Sequence, residues 1–286
     1  MNYFFSIFDN NNNIYSIDNV RINFELKHDA LIDFQYYFSY INRIDIIEYP
    51  LCFSDFKYKC MISINYKAGA LRLGYCFNGV SSDDKLKGFI DFNPNKCMND
   101  KQCMFDLEKI RSFCSTYEVA RWDLAVDVPT DRSNLHLKKD RRKYELHEHS
   151  YYDRTEYLGV RNSVGRVKVY NKTVESKLDY LLSRIEVTCG SLNVYKDKEK
   201  FDRILPDVLL LENQQNIILA DLKDTEKVLV QLINSSDYPM YYFNQLGRKM
   251  KNKLKPYLFQ ESNMIKYDYA CIDKCCQFIK EKIVLY

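Results

Sequence analysis

The segment that most constrains the fold is Arg121-Trp122-Asp123-Leu124-Ala125-Val126-Asp127, because its polar and apolar residues alternate with the period of a β-strand. Asp123 and Asp127 would share one face of that strand, with Ala125 between them. The opposite face would be buried, and it carries Trp122, Leu124 and Val126. Two acids on one face are also compatible with a solvated outer strand. Their role therefore depends on what lies beside them.

Two later segments repeat this alternation. In residues 167–172, Lys168, Tyr170 and Lys172 would share a face if the strand continues that far. In residues 184–188, Arg184, Glu186 and Thr188 form the polar side. If all three strands pair in one sheet with their polar faces together, acids, lysines and a tyrosine meet on one surface.

This set of side chains is suited to cutting a phosphodiester. Carboxylates are preferred ligands of Mg²⁺ or Mn²⁺, and such an ion can neutralise charge that develops on a phosphoryl group. A tyrosine hydroxyl has a pKa of about 10 and is a weak nucleophile. A nearby metal ion or lysine would favour the phenolate and covalent attack. The alternative is that the tyrosine is a packed aromatic with a satisfied hydroxyl.

Five segments in a fixed order resemble the rolling-circle plasmid replication initiators of Gram-positive bacteria, which include the staphylococcal Rep proteins and related phage and conjugative-element initiators. They are residues 89–96, 121–127, 155–163, 166–172 and 184–188. The resemblance implies an origin-specific, metal-dependent nickase and strand transferase that stays attached by a 5′-phosphotyrosine, while the free 3′-hydroxyl primes synthesis. It also implies a cytoplasmic protein of a bacterial host. Its partners would be origin DNA, single-stranded or supercoiled duplex, and the host helicase and polymerase.

The resemblance assigns roles position by position. Tyr170 corresponds to the nucleophile, and Tyr157 is the second candidate. Lys168 or Lys172 would steady the phenolate or the phosphoryl oxygens. The candidate ligands for Mg²⁺ or Mn²⁺ are Asp123, Glu186 and Asp127. One departure from the family pattern is Val160, where a small residue usually precedes the arginine of the Tyr-x-Gly-x-Arg turn, which puts the role of Arg161 in question.

Two basic runs are candidates for phosphate contacts. Residues 138–143 contain Arg141, Arg142 and Lys143, and residues 248–255 contain Arg248, Lys249 and Lys251. The second run can form an amphipathic helix with a basic face. The resemblance adds Arg161 and Arg166 to the DNA-binding candidates. Either run is equally compatible with a charged face kept for solubility.

The sequence His147-Glu148-His149 offers a different metal site, since both histidines would face the same way on a strand. The comparable histidine pair of another group of replication nickases has a hydrophobic residue between its histidines, and here Glu148 stands in that place. The surrounding residues are also strongly charged. We therefore expect a solvated loop or hairpin at this segment rather than a metal site.

Length and patterning predict an α+β fold in which an antiparallel catalytic sheet with helices is followed by a mostly helical C-terminal region. The chain has 286 residues, a net charge of +3 and ten cysteines. It shows no secretory signal, so reduced thiols in the cytosol are expected, and no apolar run approaches the length of a membrane span. Predicted strands cover 14–26, 60–66, 71–77 and 87–92, and a predicted helix covers 99–118. Helices are further predicted at 208–213, 217–233 and 241–257.

The predicted boundary separates a nickase domain at residues 1–195 from a helical region at 196–286, which could also pack as one unit with it. Two other functions fit the same patterns. One is a DNA-binding protein without chemistry, in which the acids are structural, and the other is a mobilisation relaxase that uses the same chemistry. The sequence leaves open whether the chain is a monomer or a homodimer.

Overall fold

The computed structural model describes residues 4–41, 44–47, 60–76, 87–148, 154–210, 221–236, 239–258 and 264–284. The strands are β1 (Ser6–Phe8), β2 (Ile14–Leu26), β3 (Ile44–Ile47), β4 (Cys60–Asn65), β5 (Ala70–Cys76), β6 (Lys87–Phe92), β7 (Cys114–Val128), β8 (Leu135–Leu137), β9 (Tyr144–Glu148), β10 (Arg154–Leu158), β11 (Val167–Asn171), β12 (Ser183–Cys189) and β13 (Val208–Leu210). The helices are α1 (Leu31–Ser39), α2 (Pro94–Cys97), α3 (Lys101–Ser112), α4 (Lys172–Ser176), α5 (Leu192–Lys196), α6 (Lys198–Ile204), α7 (Asp224–Ser235), α8 (Pro239–Gln245), α9 (Arg248–Leu258) and α10 (Tyr269–Ile279).

One antiparallel sheet organises the fold. Its strand order is β3-β4-β5-β6-β2-β7-β12-β11-β10-β9, and β1 pairs with the first part of β2. A separate pair is formed by β8 and β13. The α+β class with a large antiparallel sheet is therefore confirmed, and the predicted strands 14–26 and 87–92 have the bounds of β2 and β6.

The long central strands β2 and β7 bury their apolar side under helices. Trp122, Leu124 and Val126 of β7 are buried, as the alternation predicted. The indole of Trp122 stacks on Phe201 of α6, with ring centroids 6.5 Å apart. On β2, the hydroxyl of Tyr15 accepts a hydrogen bond from the backbone N–H of Asp268, at the start of α10. This face supplies most of the core, so the polar residues of the alternating pattern lie on the other face.

The helix predicted at residues 99–118 is shorter than expected. Its start is well defined, because the Asp100 carboxylate accepts from the backbone N–H groups of Gln102 and Cys103. It ends at Ser112, since the chain from Cys114 onward pairs with β2. The apolar residues of 114–118 could fit either helix or strand, and the tertiary pairing decides between them.

The C-terminal region divides between two hydrophobic clusters. Leu209, Leu222, Val230, Ile233, Phe243, Leu254 and Leu258 form a small cluster among α7, α8 and α9. Cys271, Ile272, Cys275, Cys276 and Ile279 of α10 pack instead into the main core. The last helix is thus part of the sheet's own packing. Within the described ranges, no helix is both long and apolar enough to cross a membrane.

Two predicted C-terminal helices need correction. Residues 208–210 of the helix predicted at 208–213 form β13, since they pair with β8, and the remainder lies outside the described residues. The helix predicted at 217–233 begins at Asp224. There Glu226 accepts a hydrogen bond from the backbone N–H of Lys223 and sets the start of the helix.

Candidate active site

The strand registers bring the three polar segments together on one face of the sheet. Glu186 of β12 lies between Ala125 of β7 and Lys168 of β11. One step along the same face, Arg184 lies between Asp127 and Tyr170. One step in the other direction, Thr188 lies opposite Asp123. The arrangement expected if the three strands paired is therefore present, except that β11 ends at Asn171 and Lys172 lies in the first position of α4.

Tyr170 is held against a carboxylate in the middle of this face. Its hydroxyl donates to Oε1 of Glu186 over 2.6 Å, and its side chain is 4% exposed. The Lys168 ammonium lies 3.8 Å from the ring centroid of Tyr170 and 3.8 Å from Oε2 of Glu186. Lys172 lies 5.7 Å from the same ring and pairs with Glu175 at 2.5 Å. A hydroxyl, a carboxylate and two ammonium groups thus share one small volume.

The environment raises the pKa values of both Glu186 and Tyr170. Burial, followed by the charge of Asp18, raises the pKa of Glu186 to about 7, although Lys168 and Arg184 act in the opposite direction. Burial also raises the pKa of the Tyr170 hydroxyl well above its usual value, and the Glu186 charge adds to the effect. Near neutral pH Glu186 is therefore poised to accept a proton, while the Tyr170 hydroxyl stays protonated until it reacts.

A buried arginine fixes the end of this face. Arg184 donates to both carboxylate oxygens of Asp127 over 2.5 and 2.8 Å, and to Asp18 over 2.7 Å. Asp127 is fully buried. This two-bond geometry places the carboxylate and the guanidinium rigidly. Asp127 is thereby part of a structural ion pair that engages both of its carboxylate oxygens.

The three predicted metal ligands do not form a ready site. In the described part of the chain, no group of three His, Cys, Asp or Glu side chains is placed to hold a metal ion. Glu186 is engaged by Tyr170, and Asp127 by Arg184. Asp123 differs from the other two, because its Oδ1 is buried without a hydrogen-bond partner. Burial raises the pKa of its carboxyl to about 6, against the opposing charge of Arg121.

A cleft of about 360 Å³ opens beside Asp123. Tyr157 lines it, with the Arg166 guanidinium 4.4 Å from its ring centroid and the His147 ring at 5.3 Å. The other lining residues are Arg121, Asp123, Glu145, Arg161, Asn162 and Thr188. Unlike Tyr170, Tyr157 borders a space that a ligand can enter.

The remaining DNA-binding candidates differ in how available they are. Arg141 is exposed, and Lys143 pairs with Glu145 at 2.8 Å on the surface. Arg142 donates to Asp140 and to the carbonyls of Gly165 and Ile204. Its guanidinium is therefore occupied inside the protein and is the least available of the three.

The other candidates lie on α9 and β9. Arg248 and Lys249 are exposed on α9, and Lys251 is half-buried. His147 lies on β9, as expected for a hairpin, whereas its predicted partner His149 falls outside the described residues. The paired-histidine site is thus untested by the geometry.

Sequence patterns did not reveal Asp18. A register shift in β2 between Ile17 and Asn19 leaves Asp18 out of the pairing with β7, and this bulge lets it reach Arg184. The signal is a break in alternation, because Asp18 and Asn19 are adjacent polar residues inside a predicted strand. Glu145 was also missed, and it reaches the cleft because it lies opposite Tyr157 on β9.

Comparison with curated proteins finds relatives with a common name. A "Replication initiation protein" of Staphylococcus aureus is 24% identical over 217 residues, which is 72% of this chain and 66% of that protein. A second S. aureus protein of the same name is 29% identical over 123 residues, covering 41% of this chain and 39% of that protein. The aligned part thus spans about two thirds or less of these relatives. No family model matches the chain.

A solved structure shows a weaker likeness. The rolling-circle replication initiator protein from Geobacillus stearothermophilus is 13% identical, with 85% of this chain and 96% of that chain covered and a TM-score of 0.37. A TM-score of this size does not establish a shared fold. The sequence relatives therefore carry the comparison.

Proposed function

We infer that this chain, which is similar to the staphylococcal replication initiation proteins, initiates rolling-circle replication by nicking origin DNA through a tyrosine nucleophile. One observation carries the proposal. In the family segment at residues 166–172, the hydroxyl of Tyr170 donates to Glu186 over 2.6 Å. A nucleophile bonded to a base that neighbouring groups hold in place is the arrangement that covalent catalysis needs.

The reaction follows from this pair. The Tyr170 oxygen attacks the scissile phosphorus as its proton passes to the Glu186 carboxylate. The bond from phosphorus to the 3′-oxygen breaks, and that oxygen leaves and takes up a proton. The protein then holds the 5′-phosphate as a phosphotyrosine, and the freed 3′-hydroxyl is available to prime synthesis. Attack by that or another 3′-hydroxyl reverses the step and transfers the strand.

The neighbouring charges favour this step. The Lys168 ammonium, 3.8 Å from the Tyr170 ring centroid, stabilises negative charge as it develops on the phenol oxygen. Arg184 is paired with Tyr170 on the neighbouring strand β12. Its guanidinium is held in place by hydrogen bonds to Asp127 and Asp18. Because Arg184 is held by Asp127 and Asp18 before substrate arrives, its charge beside Tyr170 needs little reorientation during the reaction.

A requirement for Mg²⁺ or Mn²⁺ remains a prediction from the sequence. No step above passes through an ion, and of the three predicted ligands Asp123 has a buried oxygen without a hydrogen-bond partner. Origin DNA is the proposed substrate. The host helicase and polymerase, a bacterial cytoplasmic location and a homodimer also remain expectations.

The burial of Tyr170 favours one alternative. With only 4% of its side chain exposed, Tyr170 has to become accessible before a phosphodiester can reach it. A DNA-binding initiator without nicking chemistry would have no such requirement. A mobilisation relaxase would use the same chemistry on a transfer origin.

The test is to incubate the purified chain with a supercoiled plasmid carrying the origin of the replicon that encodes it, with Mn²⁺ or with EDTA. We expect a nicked circle and a covalent protein–DNA adduct whose digested peptide carries the modification on Tyr170. Binding to the origin without nicking under any divalent ion would support the binder instead. Nicking that continues in EDTA would overturn the predicted metal requirement alone.

A further inference from the structure

Two residues that line the cleft each carry a buried polar atom without a hydrogen-bond partner. Oδ1 of Asp123 and Nε of Arg121 are both enclosed and lack a hydrogen bond within the described residues. Both side chains line the cleft. Leaving a buried polar atom unpaired costs about 1–3 kcal/mol. An acceptor and a donor left open in the same cleft therefore indicate a ligand that supplies one of each.

The charges of the cleft restrict which class of ligand it can bind. A simple anion would be repelled by the Asp123 carboxylate, and a simple cation by Arg121. The rest of the wall is mainly basic and aromatic, with Arg166 over the ring of Tyr157 and Arg161 exposed on the adjacent turn. Its second acid, Glu145, pairs with Lys143 and Arg166. A ligand with a donor–acceptor edge, an aromatic face and a negative group matches all of these features. A nucleotide has this combination.

We propose that this cleft binds one unpaired nucleotide of the DNA strand that is cut. An N–H of the base donates to Oδ1 of Asp123, an acceptor of the base receives Nε–H of Arg121, and Arg161 contacts the phosphate. The inference rests on the proposed nicking function and adds a recognition subsite to it.

The position of the cleft fits a nucleotide next to the nick. Thr188, on the cleft wall, is two residues from Glu186 on the same face of β12. That spacing corresponds to roughly 7 Å along a strand. A strand whose scissile phosphate meets Tyr170 would thus place a neighbouring base at the cleft.

The test measures binding of single-stranded oligonucleotides that cover the cleavage region, in EDTA, with one abasic residue moved along the strand. For the full wild-type chain, we expect one position at which the abasic residue weakens binding by about 5- to 100-fold, as stacking measurements suggest. Asp123→Ala should weaken binding of the intact strand and remove the sensitivity at that position. The control is Arg203→Gln, which removes a mostly exposed charge on α6.

Several outcomes overturn the inference. One is a uniform response to abasic residues, and another is the same position dependence in Asp123→Ala as in the wild type. If Asp123→Ala does not fold, Arg121→Lys takes its place, because it keeps the charge beside Asp91 and removes Nε. Free deoxynucleoside monophosphates that bind in a manner requiring Asp123 without competing with the strand would indicate a small-molecule site and contradict strand binding.

Parallel nicking assays on the same oligonucleotides separate this inference from the proposed function. Nicking without any position-specific effect of the abasic residue overturns the subsite and leaves the nickase. Position-specific binding without nicking overturns the nickase and leaves the subsite.

Discussion

Tyr170 and Tyr157 lie on the same face of the sheet on either side of Lys168, yet their surroundings are opposite. Tyr157 is directly across from Lys168, and Tyr170 is two residues further along the same strand as that lysine. Tyr170 has a hydrogen-bonded base but almost no exposure. Tyr157 borders an open cleft and packs against Arg166 and His147.

The difference separates two requirements of a nucleophile. Activation needs a proton acceptor and nearby positive charge, which Tyr170 has. Access needs open space beside the hydroxyl, which the Tyr157 cleft supplies. We therefore assign attack to Tyr170 and strand binding to the cleft, and each prediction below tests that division.

Removing the two hydroxyls separately has the largest expected effect. Tyr170→Phe should lower the nicking rate by about 10⁴-fold or more, as expected when a nucleophile is removed. Tyr157→Phe should change it by less than about tenfold, since the ring that packs against Arg166 is retained. The measurement is single-turnover nicking of supercoiled plasmid together with detection of the covalent adduct. An adduct formed by Tyr170→Phe but not by Tyr157→Phe would exchange the two roles.

Replacing Arg184 tests whether the buried Arg184–Asp127 ion pair stabilises the part of the sheet that carries Tyr170. Arg184→Met should destabilise the fold by about 3–5 kcal/mol, because it leaves the fully buried Asp127 without its partner. The matched control is Arg21→Met, which removes the more exposed partner of Asp91 and should cost about 1 kcal/mol or less. Urea unfolding measures both. Equal losses in the two variants would contradict the structural role of the Arg184–Asp127 pair.

Much of this face could be predicted from local patterns. The alternation at residues 121–127, 167–172 and 184–188 identified the strands and their polar sides, because a strand's period of two is set by its own backbone. The nucleophile candidate and both lysines followed from the family segment. These inferences need no knowledge of which strands are neighbours.

The remainder depended on long-range pairing. The role of Arg184 is fixed by its register against Asp127, and that of Asp18 by a bulge in a strand far away in sequence. The cleft combines residues from β7, β9, β10 and β12 with the turn before β11. The period of a segment specifies which side a residue faces but not the partner strand. The ion pair of Asp127 with Arg184 could not be foreseen for this reason, and a metal-ligand role for Asp127 stays a prediction.

Glu186 tests whether activation, rather than access, distinguishes Tyr170. Glu186→Gln should lower the nicking rate by about 10²- to 10⁴-fold, the usual range for a general base. Because burial raises the pKa of Glu186 to about 7, the wild-type rate should rise as pH increases through about 7 and then level off. The rise should be absent in Glu186→Gln. In Asp123→Asn it should persist at the same pH, and its loss there would assign the base to Asp123 instead.

Replacing Arg166 tests strand binding at the Tyr157 cleft, and it has the smallest expected effect. Arg166→Gln removes the cation over the Tyr157 ring, so binding of a single strand should weaken by about 5- to 10-fold at low salt. The slope of log affinity against log salt should become about 0.7 less steep if one phosphate contact is lost. The nicking rate at saturating DNA should change by less than about threefold, because Tyr170 and Glu186 are untouched. A titration over several salt concentrations, with Arg203→Gln as the control, measures the slope. An unchanged slope together with a large loss of nicking rate would assign Arg166 to the chemical step and not to strand binding. It would also contradict the assignment of attack to Tyr170 and strand binding to the Tyr157 cleft.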